Sequence, residues 1–257
     1  MRNIIAVAGK EMQAYFHSPI AYLVMTVWTF LVGLIFYLSV GEYVNYSFRM
    51  EAMGGGQPLP SLNEAIVRGM LQGFLMVVLL FMIPLITMRL YAEEKRSGTI
   101  ELLLTSPLSD LEIILGKFLG ALTLYAILVA LTFLYVGVLF IYGNPSAKPL
   151  LANAAGMLLY GAALLALGMW FSTFTRNQII AGVVSMVAFL VLYIFNWPSM
   201  FLDNKVVQIM ASMAITTHIE NFSKGVIQLS DVVYYLSVVA LGIFLTARSV
   251  EALKGRP

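Results

Sequence analysis

Few residues of this chain could do chemistry, and most of the chemistries open to them are ruled out by type or spacing. There is no cysteine, which removes thiolate catalysis, disulfides and cysteine-ligated metals and leaves the redox compartment undetermined. The two histidines, His17 and His218, make no metal-like pair, and His218 with Glu220 is expected to be solvated in a loop. Gly54-Gly55-Gly56 lacks a following Lys-Ser or Lys-Thr, so the chain has no phosphate cradle of the G-x-x-x-x-G-K-[ST] type, and the run reads as a flexible turn. The remaining candidate is the densest charge cluster of the protein, which begins Arg89-Leu90-Tyr91-Ala92-Glu93-Glu94-Lys95-Arg96 and continues Ser97-Gly98-Thr99-Ile100-Glu101-Leu102-Leu103-Leu104-Thr105-Ser106-Pro107. Its chemistry is recognition: a charged stretch, a turn at Gly98-Thr99 and a short amphipathic helix suit docking into a groove on a partner. An ordinary positively charged loop facing water has the same composition.

The elements that position this segment are membrane helices. Of 257 residues, 60% are hydrophobic and 11% charged, against about 25% charged in a soluble domain. The mean hydropathy is +0.89. The apolar residues fall in blocks longer than about 18 residues, enough to cross a hydrocarbon layer of roughly 30 Å. The fold class is therefore an all-α polytopic membrane protein with six spans, forming one domain over 1–257. A net charge of +2 gives no reason to expect a nucleic-acid partner.

Residues 1–18 read as an amphipathic interfacial helix, with Ile4, Ile5, Ala8, Met12, Tyr15 and Phe16 on one face and Asn3, Lys10, Gln13 and His17 largely opposite. Ser18-Pro19 breaks it, and a first span follows over about 20–40. A polar stretch comes next, punctuated by Gly54-Gly55-Gly56, Pro58 and Pro60. Ser61-Leu62-Asn63-Glu64 has the form of a capping box and leads into a second span near 69–88, with a kink expected at Pro84. A second capping box, Ser109-Asp110-Leu111-Glu112, starts a third helix reaching Tyr142, longer than a bilayer requires. The fourth span covers about 152–174. The turn Thr175-Arg176-Asn177-Gln178 makes a hairpin into a fifth, which ends near Trp197-Pro198. Residues 199–230, interrupted by Asp203, Lys205, His218, Glu220 and Lys224, read as short re-entrant helices before the last span, about 232–247.

Charge sets the orientation. With both termini cytoplasmic, the inner side holds Arg2, Lys10, Arg89, Lys95, Arg96, Lys117, Arg176, Arg248, Lys254 and Arg256, ten of the fifteen Lys and Arg, leaving Arg49, Arg68, Lys148, Lys205 and Lys224 outside. Lys117, two turns inside the third helix, is expected to snorkel to the inner interface rather than stay buried. Gly116-Lys117-Phe118-Leu119-Gly120 could permit close helix contact, although such spacing is frequent in glycine-rich spans. The middles of the spans hold almost no ionisable residue, which argues against ion-coupled transport and intramembrane proteolysis.

The stretch Arg89–Ser109, followed by Gly116-Lys117, resembles the signature of ABC-2 type permeases, and within that group it is most similar to the permease of the gliding-motility ABC transporter. The run Phe16-His17-Ser18-Pro19-Ile20-Ala21-Tyr22 is similar to the same type. The resemblance implies an N-terminal elbow helix over 1–18, six spans, a cytoplasmic coupling helix in the loop 89–110 and outer re-entrant helices over 199–230. It implies that Glu93, Glu94, Gly98, Thr99 and Glu101 meet a nucleotide-binding subunit, with Arg89, Lys95, Arg96, Leu103 and Ser106 in the same interface. ATP and Mg would be bound and hydrolysed by that ABC ATPase, with no cofactor in this chain. Expected partners are a second permease copy or related membrane subunit, an auxiliary subunit with a periplasmic domain, and lipid. The expected location is a bacterial inner membrane. Two other readings remain: a mechanotransmitting subunit that carries no solute, and a scaffold or channel independent of any ATPase.

Overall fold

A computed structural model describes residues 2–54, 60–202 and 204–254. Gly55, Gly56, Pro58, Asp203 and Arg256, named above, lie outside the described residues, as do the side chains of Leu103 and Lys254. The regular elements of the described chain are all helical, and six helical stretches are long and apolar enough to cross a membrane.

Helix α1 (Arg2–His17) precedes α2 (Pro19–Ala52), with Ser18 capping α2 and Pro19 at its first turn, where a missing N–H costs nothing. The sequence reading ended this span near Val40, but the helix runs 34 residues, about 51 Å at 1.5 Å per residue. The polar residues after Val40 include no helix stop until Gly54, whose φ of 100° is one that few other residues adopt. The second span starts at the Ser61 cap, where the Glu64 N–H donates to Ser61 Oγ at 3.3 Å. It passes through wide π turns at Asn63–Arg68 and Leu71–Leu75 into α3 (Met76–Thr87). Pro84 lies inside α3 without ending it, and the chain turns at Met88 into α4 (Arg89–Ser97). The first half of the expected loop 89–110 is thus a helix continuing the second span. A short α5 (Ile100–Leu104) leads to the long α6 (Asp110–Tyr142).

Helices α7 (Ala147–Ser172) and α8 (Gln178–Ile194) form the expected hairpin, with Asn177 Oδ1 accepting from the Ile179 N–H at 2.9 Å to cap α8. After a 3₁₀ turn at Trp197–Met200 come α9 (Lys205–Met213) and α10 (Ile219–Ser223), then α11 (Leu229–Lys254). The second span and α7 form the interior, with 62% and 67% of their apolar windows buried, against 17% for α2 and α8 and 22% for α11. The outward apolar side chains of those three helices need no protein partner in hydrocarbon.

A polar bond inside the bundle ties α2 to α6: Trp28 Nε1 donates to Leu128 O at 2.9 Å and Thr132 Oγ1 at 3.0 Å, with Trp28 fully buried. Trp28→Phe keeps most of the apolar volume and loses this donor. It is expected to cost about 1 kcal/mol, read from thermal melts of the detergent-solubilised chain.

His218 corrects an expectation. It is part-buried rather than solvated: Nδ1 lies 2.8 Å from Asp231 Oδ1, and the ring stacks on Tyr234 at 3.8 Å between centroids. Asn221 Nδ2 donates to the other Asp231 oxygen at 2.8 Å, so the cluster pins α10 to the start of α11. Asp231 is buried and must be matched by donors, which is why His218 turns inward. Glu220 stays exposed and pairs with Lys224 at 2.6 Å.

Candidate coupling site

Helix α4 inherits its position from the second span and its character from its sequence. Leu90, Tyr91 and Ala92 are buried, while Glu93 and Arg96 follow on more open positions. Arg89 pairs with Glu93 at 2.9 Å, one helical turn on. Ser97 Oγ donates back to Glu93 O at 3.0 Å and lies 2.8 Å from Thr99 Oγ1, closing the end of α4. Gly98 then takes φ 73°, the left-handed conformation that terminates helices and that a Cβ disfavours. This lets the chain reverse into α5, where Thr105 Oγ1 donates to Glu101 O at 2.9 Å. The capping box opens α6: the Ser109 N–H donates to Glu112 Oε2 at 3.1 Å and the Glu112 N–H to Ser109 Oγ at 3.3 Å.

The residues singled out in the sequence divide into two groups. Arg96, Gly98, Thr99 and Glu101 are exposed, and so is Leu102, at 73%. Glu93 is half exposed. Ser106 is partly covered. Arg89, Glu94 and Lys95 turn inward and hold the segment to the bundle. Arg89 lies 5.5 Å over the Tyr15 ring, and the Tyr15 hydroxyl donates to Ile86 O at 2.9 Å. Burial, with Glu11 adding to it, pushes the Tyr15 phenol above its ordinary range and keeps it a donor. Lys95 Nζ donates to Thr173 O in the α7–α8 turn, and Thr173 Oγ1 is 2.6 Å from Ser249 Oγ of α11. One end of the bundle is thereby gathered around α4.

Two residues absent from the sequence-based site complete it. Lys117 is 1% exposed and does not snorkel to water; its Nζ donates to Glu11 Oε1 and Glu94 Oε1, both at 2.7 Å, and to Leu90 O at 2.9 Å. It also sits 5.3 Å from the Tyr91 ring centroid. Carboxylates at its own depth are nearer than solvent, so the cation pairs instead of extending. The α1 face that packs inward therefore includes Val7 and Glu11, while Ile5, placed on that face by periodicity, is 69% exposed. Glu11 is tolerated there because Lys117 meets it.

Helix α1 runs alongside α6 in parallel, and the G-x-x-x-G spacing makes the close approach. A Cβ on Gly116 would lie 2.5 Å from Val7 Cβ, and one on Gly120 would lie 2.7 Å from Glu11 Cβ. Asn3 Nδ2 donates to Glu112 Oε1 at 3.0 Å and fastens the far end. Between α1 and α4 a cleft of about 260 Å³ is lined by Lys10, Glu11, Arg89, Glu93, Glu94, Ser97 and Thr99, among others. The signal that could have found Glu11 is an acidic residue inside an otherwise apolar helical face, with a lone lysine two turns into a span.

Charged and apolar side chains are presented outward on α4 and α5, and α4 is fastened by the Glu94–Lys117 pair to α6 and, through that lysine, to Glu11 of α1. A comparison with curated proteins finds no match. A comparison with protein families finds the one described as ABC-2 family transporter protein, matched over residues 5–247. With that match over nearly its whole length and six helices able to span a membrane, the chain belongs to the ABC-2 family of transporter proteins, the membrane permeases of ABC transporters whose ATP hydrolysis belongs to partner subunits.

Proposed function

We propose that this chain is the moving membrane half of an ATP-driven exporter, or of a gliding-related surface machine built on the same coupling, and that α4, α5 and the turn between them receive the push of the ATPase. The observation that carries this reading is the exposed group Arg96, Gly98, Thr99, Glu101 and Leu102, held on a segment whose other side is anchored by Arg89, Glu94 and Lys95. A docking surface needs both parts, free contact groups and a rigid base that passes force on. Both termini and this segment lie on the cytoplasmic side of a bacterial inner membrane, in line with the distribution of Lys and Arg. Two permease subunits, identical or related, surround the path, and an auxiliary subunit with a periplasmic domain accords with the gliding-type resemblance. The nucleotide-bound and nucleotide-free ATPases contact the segment differently, because only a difference in affinity can shift the permease between states.

Glu101→Arg reverses charge at an exposed position with no fold to disturb. ATP hydrolysis by the complex, assayed in proteoliposomes, is expected to lose its dependence on the permease while the melting temperature is unchanged. Wild-type behaviour of this variant would remove α5 from the contact.

A further inference from the structure

At Lys117 three helices meet on a single charge. The side chain springs from α6, its ammonium holds Glu11 of α1 and Glu94 of α4 at 2.7 Å each, and its third proton goes to Leu90 O. All its donors are used. The node has two carboxylates to one ammonium, so it is the lysine that cannot leave without stranding charge in a buried place. The glycines at 116 and 120 bring the α1 backbone against α6 on both sides of the lysine, which prevents α1 from sliding along α6. Glu94 Oε2 and Arg89 Nη1 are buried with no hydrogen-bond partner, so the hold on Glu94 comes from the lysine rather than from a saturated network, beside the separate contacts that Arg89 and Lys95 give α4.

Resting on the coupling reading above, we infer that Lys117 is the positioning residue that makes α1, α4 and α6 one rigid body, so that force applied at the α4–α5 turn reaches the first helix and the long helix together. Without the lysine, α4 would move against α1 and the push would be spent locally. A role in stability alone would leave the relative motion of the helices unchanged in any molecule that folds.

The absence of cysteine makes paired spin labels free of background. Labels at Ala6→Cys on α1, Thr105→Cys beyond α5 and Ile180→Cys on α8 all sit at exposed positions. Distances are measured in the complex purified with its ATPase, with and without ATP, Mg²⁺ and vanadate. In the otherwise unaltered complex the 6–180 distance is expected to shift with nucleotide while the 6–105 distance holds. In Lys117→Met the 6–180 shift is lost and the 6–105 distance changes instead. The permuted pair Glu11→Lys with Lys117→Glu, which keeps opposite charges on the α1–α6 contact and one ammonium among two carboxylates in the node, with the ammonium now reaching Glu94 from α1, restores both patterns. If Lys117→Met does not assemble, the permuted pair decides alone. The inference is overturned if α1 follows the nucleotide normally in Lys117→Met, or if the permuted pair fails to assemble or assembles without the 6–180 shift. Absence of any nucleotide-dependent shift in the unaltered complex is a different result, and it is the coupling reading that falls.

Discussion

Lys117→Met is expected to lower the stability of the detergent-solubilised chain by about 3–5 kcal/mol, the usual cost of removing one partner from a buried ion pair. Here the substitution leaves two carboxylates, Glu11 and Glu94, facing each other in a site from which the ammonium has gone. Replacing all three together, Glu11→Leu, Glu94→Leu and Lys117→Met, removes every charge from the node and is expected to recover most of that loss, because apolar substitutes avoid the desolvation that the ions suffer. Thermal melts of the unaltered chain, the single variant and the triple variant measure this directly. A loss below about 1 kcal/mol for the single variant would mean that the pairs are screened like those at a surface.

Gly98→Val is expected to act in the opposite manner, leaving stability nearly unchanged and weakening coupling. The position is exposed, and a Cβ there would meet nothing within 4 Å, so there is no clash. The cost lies in φ 73°, which for an L-residue carries about 1–2 kcal/mol and more when the side chain is branched. The turn relaxes to a conformation that valine accepts, and α5 swings away from the orientation that α4 gives it. If that orientation is the one the ATPase engages, a strain of this size depletes the competent population about 5–30-fold. ATP hydrolysis by the reconstituted complex should then lose its response to the permease by a similar factor, with an unshifted melting curve. Gly98→Asn, which tolerates the left-handed region, should retain most of the response.

The division of labour around Lys117 explains which features were legible in the sequence. The charged segment after the second span was visible because its charges interrupt apolar runs, and Gly98 marked its turn. The start of α6 was equally plain, since Ser109 and Glu112 satisfy each other within one turn. The six spans followed from the length of the apolar blocks. Local signals sufficed for these elements. The end of α2 was misplaced because polarity after Val40 was taken as loop, although helices persist through polar residues until a stop such as Gly54. The packing face of α1 was rotated because Glu11, read alone, does not belong among apolar neighbours. Its partner lies 106 residues away, and no periodicity carries that information. His218 was misread for the same reason, because Asp231 is 13 residues further along and on another helix. Ionisable residues in apolar surroundings pair over long sequence distances, and such pairings are where sequence reasoning was weakest.

The most direct test of the account is to purify the chain from its native membrane in mild detergent and identify by mass spectrometry what accompanies it. A nucleotide-binding ATPase in stoichiometric amount, lost or reduced on charge reversal at Glu101, is the expected result. If no ATPase accompanies the chain under any gentle condition, the outward face of α4 and α5 is an ordinary charged loop, and the protein is a membrane scaffold or channel rather than the moving half of a transporter.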